Sequence, residues 1–451
     1  SFVPQFAGAL TAEGRAEARR FAAATLSIML CVLMPFTFLA QATMPWLMVV
    51  LAPGFLADPT TFDLAVELTR ITFPYLLFMA LVALLGGILN SLDRFAAAAA
   101  APIVLNIVLI GAMLLLSDTL GPAHTLAWGV AVAGIAQFLM LAVAAERAGM
   151  VLRLPRPRLT PRVRKTLRLM VPGAIGAGVV QINLVIDVVL ASTLPEGSIS
   201  FLYYADRVSQ LPLGVVGVAV GIALLPLLSR QLRAGDFAAA GNSQNRAIEF
   251  ALLLTLPAAT ALLVIPEPIV RVLFTRGAFS AADAGATAGA LTAFALGLPA
   301  YVLIKALAPG FFAREDTATP VKIAVVALIV NVGAALSLMP LLAHVGIALA
   351  TAISAWLNAL ALGVLLIRRG AFAIDARLTR RAIGMLLASA GMAVALWFAQ
   401  GALAPWLTDS GVAGFAALAT LVVVGLTAYG ALALLSGALR PADFRGFLRR
   451  A

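Results

Sequence analysis

The chain has 451 residues, of which 62% are hydrophobic and only 11% are charged, with a formal net charge of +11. Soluble proteins carry about 25% charged residues, so this composition excludes an ordinary soluble protein and predicts an integral membrane protein. The basic excess does not indicate nucleic acid as a partner, because most of the Arg and Lys residues concentrate in alternate loops between apolar segments.

Apolar runs long enough to cross a membrane recur along the chain. A spanning helix needs roughly 20 mostly apolar residues, and these runs are continuous rather than alternating, which excludes a transmembrane β-barrel. The sequence therefore predicts an all-α polytopic membrane protein. In chain order the twelve predicted spans are 21–51, 65–90, 97–117, 124–146, 169–194, 199–229, 247–272, 284–312, 321–342, 345–367, 380–402 and 412–438.

The basic residues predict how the chain is oriented. One set of alternate loops, together with both chain ends, carries 26 of the 31 Lys and Arg residues, and the opposite set has only Arg271 and Arg276. Cytoplasmic loops are enriched in Lys and Arg, so we expect both ends of the chain to be cytoplasmic. The other three, Arg70, Arg207 and Lys305, fall inside predicted spans.

An internal repeat is visible when the second half of the chain is laid over the first at a slowly drifting offset. Each repeat holds an even number of spans, which predicts two parallel lobes related by an axis along the membrane normal, an arrangement found in transporters. The matched pairs are Pro4 with Pro226, Pro35 with Pro257, Pro45 with Pro268, Phe55 with Phe279, Pro74 with Pro299 and Asn106 with Asn331.

The repeat also predicts a missing start. The spans at 169–194 and 199–229 have no counterparts in the first lobe, and Phe2-Val3-Pro4 matches Leu224-Leu225-Pro226. We therefore expect Ser1–Phe6 to end a truncated helix, and a parent chain with two lobes of six helices. An asymmetric chain of four, six and two helices is the alternative. The expected domains are a truncated N-lobe of four complete helices (1–147), a basic cytoplasmic linker (148–168), a six-helix C-lobe (169–370) and a C-terminal helix pair with a basic tail (371–451).

Several segments carry a family resemblance. They are Ile-Thr-Phe-Pro-Tyr at 71–75, Tyr-Tyr-Ala-Asp-Arg at 203–207, Leu-Pro-Leu-Gly-Val at 211–215, Lys-Ala-Leu-Ala-Pro-Gly-Phe at 305–311 and Thr-Pro-Val-Lys-Ile at 319–323. From Ser1 to about residue 370 the chain resembles the MurJ (MviN) lipid II flippases of the MOP exporter superfamily. The resemblance implies that undecaprenyl-pyrophosphate-linked peptidoglycan precursor moves from the inner to the outer leaflet of the bacterial cytoplasmic membrane, for cell wall biosynthesis.

Charged residues within the predicted spans are the candidate substrate-binding residues. A charge at mid-bilayer costs roughly 2.5–3.5 kcal/mol on insertion scales, so such residues face a cavity or a partner. Arg207 lies roughly 12 Å into its helix at 1.5 Å per residue, and a guanidinium matches phosphate geometry. We predict that Arg207 binds the pyrophosphate; an ion pair with another helix is the alternative. The further candidates are Asp206, Lys305, Arg70 and Asp187.

Three oxygen-bearing side chains from different spans, those of Asp187, Asn331 and Thr351, form a candidate Na⁺ site. Sodium coupling at a comparable place is what the resemblance implies, and we expect no cofactor apart from Na⁺ as a coupling ion. No catalytic constellation occurs in the sequence, so we expect a transporter and not an enzyme. Membrane lipids are expected partners, and a monomer is the expected oligomeric state.

Simple energetics favour flipping over release. A polyprenyl tail gains about 0.8 kcal/mol per buried CH₂, so it should stay in lipid while the polar head crosses. Each negative charge moved outward releases about 2.3 kcal/mol per 100 mV. The prediction is therefore alternating access driven by membrane potential or ion coupling. The alternative is another exporter of the superfamily, either a polysaccharide lipid-intermediate flippase or a multidrug exporter; a membrane-embedded enzyme or a structural scaffold is the alternative from another class.

Overall fold

The computed structural model describes residues 2–151, 154–408 and 411–439; within these, the side chains of 171–177, 179–180 and 215–223 lie outside the description. Every long element in the described ranges is a helix, and ten helical segments are long and apolar enough to cross a membrane. The all-α prediction is confirmed. The basic tail from residue 440, which contributes to the predicted orientation, lies outside the described residues.

The first compact unit covers Ser1–Val185. Its main core cluster is built on large apolar side chains such as Phe6, Phe21, Ile88 and Leu141. A short 3-10 turn, Pro53–Ala57, joins the third and fourth helices. The helices are α1 (Phe2–Glu13), α2 (Arg15–Ala42), α3 (Met44–Leu51), α4 (Pro59–Thr72), α5 (Tyr75–Asn90), α6 (Phe95–Leu120) and α7 (Pro122–Arg147).

The next helix, α8 (Pro161–Ser192), contains the point at which the second compact unit, Ile186–Ala451, begins. The domain boundaries predicted from the sequence, with a linker at 148–168, remain a prediction. The helices of the second unit are α9 (Ser198–Arg233), α10 (Phe237–Val264), α11 (Pro266–Phe274), α12 (Ala281–Phe312), α13 (Ala318–Leu342), α14 (His344–Arg368), α15 (Ala376–Leu407) and α16 (Val412–Leu435).

The central helix of the second unit is α12, in which buried residues predominate, including Leu291, Leu298 and Val302. Its start is fixed by a capping box, in which the Ser280 hydroxyl accepts from the backbone N–H of Asp283 and the Asp283 carboxylate accepts from the backbone N–H of Ser280. This exchange satisfies two backbone donors that would otherwise lack partners at a helix start.

Three of the predicted spans are divided, which corrects the prediction of single helices. The run 21–51 breaks at Thr43, 65–90 breaks at Phe73-Pro74, and 247–272 breaks at Ile265. Each break lies at or close to a proline, which has no N–H to donate and clashes with the preceding turn. At two of the breaks the proline becomes the first or second residue of the next helix, where it is favoured.

The helix starts repeat between the two units. Helices α2, α3, α4, α6 and α7 begin at Arg15, Met44, Pro59, Phe95 and Pro122, and α10 to α14 begin at Phe237, Pro266, Ala281, Ala318 and His344. The offset between these two sets of starts is almost constant, without the drift seen in the proline matches. One difference stands out: α4 and α5 are separate, whereas α12 continues through Pro299.

Candidate functional site

Two carboxylates lie close together in the second unit. The Asp187 Oδ1 atom on α8 accepts a hydrogen bond of 3.2 Å from Asn331 Nδ2 on α13, and Asn331 is fully buried. The Asp206 carboxylate on α9 accepts from Gln210 Nε2, one turn further along. Asp187 and Asp206 interact electrostatically with each other, and both carboxylates also interact electrostatically with the hydroxyl of Tyr301 on α12. Four helices thus contribute to one polar cluster.

Arg207 has a different environment from its neighbour Asp206. Its side chain is exposed, and the guanidinium carbon lies 4.8 Å from the centroid of the Tyr203 ring, one helical turn earlier. Among the described residues it makes no ion pair within 4.0 Å. A ring that covers one face of a guanidinium leaves its N–H edge accessible to a planar or bidentate acceptor.

Lys305 lies on α12, four residues after Tyr301, and its side chain is exposed. Residues four apart in a helix share one side, so Lys305 is on the side of α12 that carries Tyr301. The role of Lys305 in binding substrate stays a prediction.

Arg70 is in the first unit and has a partner of its own. Its Nε atom donates to the backbone oxygen of Gln41 at 3.1 Å, and Gln41 Nε2 donates to the backbone oxygen of Arg70 at 3.0 Å. These two bonds join α4 to the end of α2, where the break at Thr43 interrupts helical hydrogen bonding. The geometry gives Arg70 a role in holding the two helices together, and its role in binding substrate stays a prediction.

The predicted cation ligands are only partly brought together. Asp187 and Asn331 are in contact, whereas the Thr351 hydroxyl on α14 donates within its own helix to the oxygen of Ile347 at 3.0 Å. The described part of the chain has no cluster of three or more His, Cys, Asp and Glu side chains suited to a metal. A site here would depend on one carboxylate with amide, hydroxyl and backbone oxygens, which are ligands that a hard cation accepts.

Sequence reasoning missed Tyr203, Gln210 and Tyr301. All three are four residues from a predicted site residue on the same helix, since Tyr203 precedes Arg207, Tyr301 precedes Lys305 and Gln210 follows Asp206 by four. The helical spacing of four was therefore the available signal, but which of these side chains would touch depends on rotamers.

A second charged cluster ties α15 to α10 at the end that is predicted to be cytoplasmic. Glu249 is buried and accepts from Arg246, from Arg381 and, at 3.1 Å, from Arg377. Arg246 also donates to Asp375, whose carboxylate caps the start of α15. The sequence indicated only a basic loop here, because Glu249 is a single acid within an apolar run.

These features, a helical polytopic fold with charged side chains in its spans, are typical of membrane transporters. The structure matches that of a lipid II flippase MurJ in an inward closed conformation, with a TM-score of 0.76 and 23% identity, over 96% of this chain and 89% of that chain. It also matches an inward-facing multidrug resistance MATE family transporter of the MOP superfamily, with a TM-score of 0.72 and 16% identity, over 82% and 84%. Both likenesses show the fold.

The sequence identifies the family. The family model for lipid II flippase MurJ matches residues 1–416. A probable lipid II flippase MurJ of Rhizobium tropici is 44% identical over 462 residues, covering 100% of this chain and 86% of the relative. Another, of Rhizobium meliloti strain 1021, is 46% identical over 404 residues, covering 88% and 75%. The chain belongs to the lipid II flippase MurJ family, and the resemblance noted in the sequence is confirmed.

Proposed function

We propose that this protein is a lipid II flippase, which moves the undecaprenyl-pyrophosphate-linked peptidoglycan precursor from the inner to the outer leaflet of the bacterial cytoplasmic membrane. The observation that carries the proposal is the family match over residues 1–416. The exposed Arg207 also supports the proposal, because an anionic diphosphate that crosses the membrane needs a cation to bind it there.

In the proposed mechanism Arg207 binds the diphosphate through the N–H edge of its guanidinium. Tyr203 would hold the plane of that group from one face at 4.8 Å. Asp206 accepts a hydrogen bond from Gln210 and, in the part of the chain that the structure describes, makes no ion pair with Arg207 within 4.0 Å, which leaves the N–H groups of Arg207 available to the diphosphate. Lys305 would add a second positive charge from α12.

The membrane potential is the proposed driving force. The head group of the substrate carries negative charge. Each negative charge that moves outward across an inside-negative membrane releases about 2.3 kcal/mol per 100 mV. Sodium coupling through Asp187, Asn331 and Thr351 is the second proposed source, since these oxygens suit a hard cation. Alternating access, cytoplasmic chain ends and a monomeric state complete the proposal.

Substitution of Arg207 in the full-length protein tests the binding role. A charge-assisted hydrogen bond contributes about 1.5–3 kcal/mol, so Arg207→Ala should weaken lipid II binding roughly 10- to 150-fold, as measured with purified lipid II in detergent. Arg207→Lys should be intermediate, because an ammonium cannot reproduce the planar fork. The matched control is Arg233→Ala, which removes an exposed arginine at the end of the same helix. Parental affinity in Arg207→Ala would contradict the role.

Export of cationic drugs is the second candidate function. The fold match to a MATE family transporter and the neighbouring carboxylates of Asp187 and Asp206 favour it. In that case Asp187→Asn would abolish efflux of a cationic dye from cells, and Arg207→Ala would leave efflux unchanged. The flippase proposal expects no dye efflux by the parental protein.

A further inference from the structure

A cavity of about 870 Å³ lies at one end of the first unit, where the end of α5, the start of α6 and the end of α7 meet. Its walls are mainly apolar and include Leu89, Phe95, Leu139, Met140 and Val143. The volume is in the range of sites that hold small organic ligands. None of these residues belongs to the Arg207 site, which is in the second unit.

The rim of this cavity is cationic. Arg94 and Arg147 both line it and both side chains are exposed. Within the described part of the chain, neither side chain has a hydrogen bond to a protein group or an ion pair. Asp93 lies on the same rim, so the rim carries two guanidinium groups against one carboxylate.

At the matching position in the second unit, the charged groups pair with each other within the protein. Asp316, the counterpart of Arg94 in the repeat, pairs with Arg369 at 2.7 Å and accepts from the backbone and hydroxyl of Thr319. Arg369 directly follows Arg368, which is the counterpart of Arg147 at the end of α14. The second unit therefore joins the turn to the end of α14 by an ion pair, where the first unit sets one cation opposite another.

The cavity is also accessible from the apolar surroundings of the protein. Helix α6, which forms one wall, buries only Ala101 among all its residues. At the other wall, the Leu139 side chain is 54% exposed. By the distribution of basic residues this end of the unit is predicted to be cytoplasmic, which puts the two arginines at the level of the lipid head groups.

We propose that this cavity binds an anionic glycerophospholipid of the cytoplasmic leaflet. The phosphate would lie between the guanidinium groups of Arg94 and Arg147, which suit a phosphate through two N–H donors each. One acyl chain would lie along Leu139 and Val143. Basic pockets between membrane helices on the cytoplasmic side are known to recognise such head groups. The proposal stands independently of the flippase function.

The test compares two lipids with identical acyl chains on the full-length purified protein. Phosphatidylglycerol and phosphatidylcholine are titrated separately, and bound lipid is counted by native mass spectrometry. We expect phosphatidylglycerol to bind at least tenfold more tightly than phosphatidylcholine. The double variant Arg94→Gln/Arg147→Gln should lose that preference, and Arg94→Asp should lose it too, because the new carboxylate can pair with Arg147 as Asp316 pairs with Arg369. The matched control is Arg19→Gln, an exposed arginine of α2 that should keep the preference.

A neutral change separates the cavity from general surface charge. Leu139→Trp fills the apolar wall without altering charge and should lower phosphatidylglycerol binding at least tenfold. Leu114→Trp, on the exposed surface of α6 at a residue that does not line the cavity, should leave it unchanged. Equal binding of the two lipids by the parental protein, or an undiminished preference in Arg94→Gln/Arg147→Gln, would overturn the proposal. So would a Leu139→Trp variant that leaves binding intact. Melting temperatures of all variants establish that each is folded.

Discussion

The turn between α5 and α6 and the turn between α12 and α13 have a similar backbone conformation but carry different charges. Asp93 and Glu315, at the same place in the two turns, both adopt a left-handed conformation, with φ of 58° and 64°. The next residue is Arg94 in the first unit and Asp316 in the second. Asp316 forms an ion pair with Arg369 at the end of α14, whereas Arg94 lines a cavity.

The repeat preserves the positions of the helix starts, whereas the charges at the helix ends differ between the two units. Helix starts recur at an almost constant spacing, because each lobe needs the same apolar lengths to cross the membrane. Charges at the helix ends are not constrained in that way. At this turn the second unit uses them for an ion pair within the protein, and in our proposal the first unit uses them for lipid.

The largest expected effect concerns the buried ion cluster of the second unit. Glu249 and Arg381 are both buried, and removing one partner of a buried pair costs about 3–5 kcal/mol because an unpaired charge remains. Glu249→Gln should therefore lower the free energy of unfolding by about that amount, as measured by denaturation in detergent. The hydrophobic double variant Glu249→Leu/Arg381→Leu should recover part of the loss, because it removes both buried charges while Arg246 keeps its partner Asp375.

The matched control is in the first unit. Glu13 pairs with Arg162 at 2.5 Å, but both side chains are substantially exposed. Exposed pairs contribute little to stability, so Glu13→Gln should leave the melting curve close to that of the parental protein. A loss in Glu13→Gln equal to that in Glu249→Gln would show that burial does not separate the two clusters.

A smaller effect is expected at the turn between α6 and α7 and at its counterpart between α13 and α14. Ala343 has φ of 49° and ψ of −130°, a conformation that strains an L-residue, and its counterpart in the first unit is Gly121 with φ of 76°. Ala343→Gly should stabilise the protein by about 1 kcal/mol through relief of strain, and Gly121→Ala should destabilise it by a similar amount. If both changes alter the melting temperature in the same direction, the two turns are not equivalent.

The smallest expected effect is a pH dependence of stability at the turn between α12 and α13, which contains Asp316. Hydrogen bonds from the Thr319 hydroxyl and backbone, followed by that from Arg369, lower the pKa of Asp316 to about 2 from its usual 3.8. A carboxyl with a lowered pKa stabilises the folded state above its unfolded pKa, and that contribution is lost as the pH falls from about 4 towards 2. Asp316→Asn should remove this part of the acid sensitivity, seen as a flatter melting temperature between pH 5 and 2. An acid profile identical to that of the parental protein would contradict the pairing.

The helices could be predicted from the sequence because long apolar runs leave few alternatives in a membrane. The breaks could not, since Pro35 and Pro257 lie inside continuous helices while Pro45 and Pro266 mark new ones. What separates these prolines is the packing around each helix, which a single sequence does not contain.

The candidate site was predictable in part. Asp187 and Asn331 were grouped from residue chemistry alone, and the structure gives them a hydrogen bond of 3.2 Å. The partner of Arg70 was not predictable, because the bond to Gln41 depends on where α2 ends. The same holds for the stacking of Arg207 on Tyr203, which depends on side-chain rotamers.

The flippase proposal is tested most directly by translocation of lipid II in proteoliposomes that contain the full-length protein. Head groups arriving at the outer leaflet are measured with and without an inside-negative potential. We expect translocation above that of empty vesicles, acceleration by the potential, a large loss in Arg207→Ala and parental rates in Arg233→Ala. Translocation at the parental rate by Arg207→Ala, made at normal levels, would contradict the role of this residue, and absence of translocation by the parental protein would contradict the function itself.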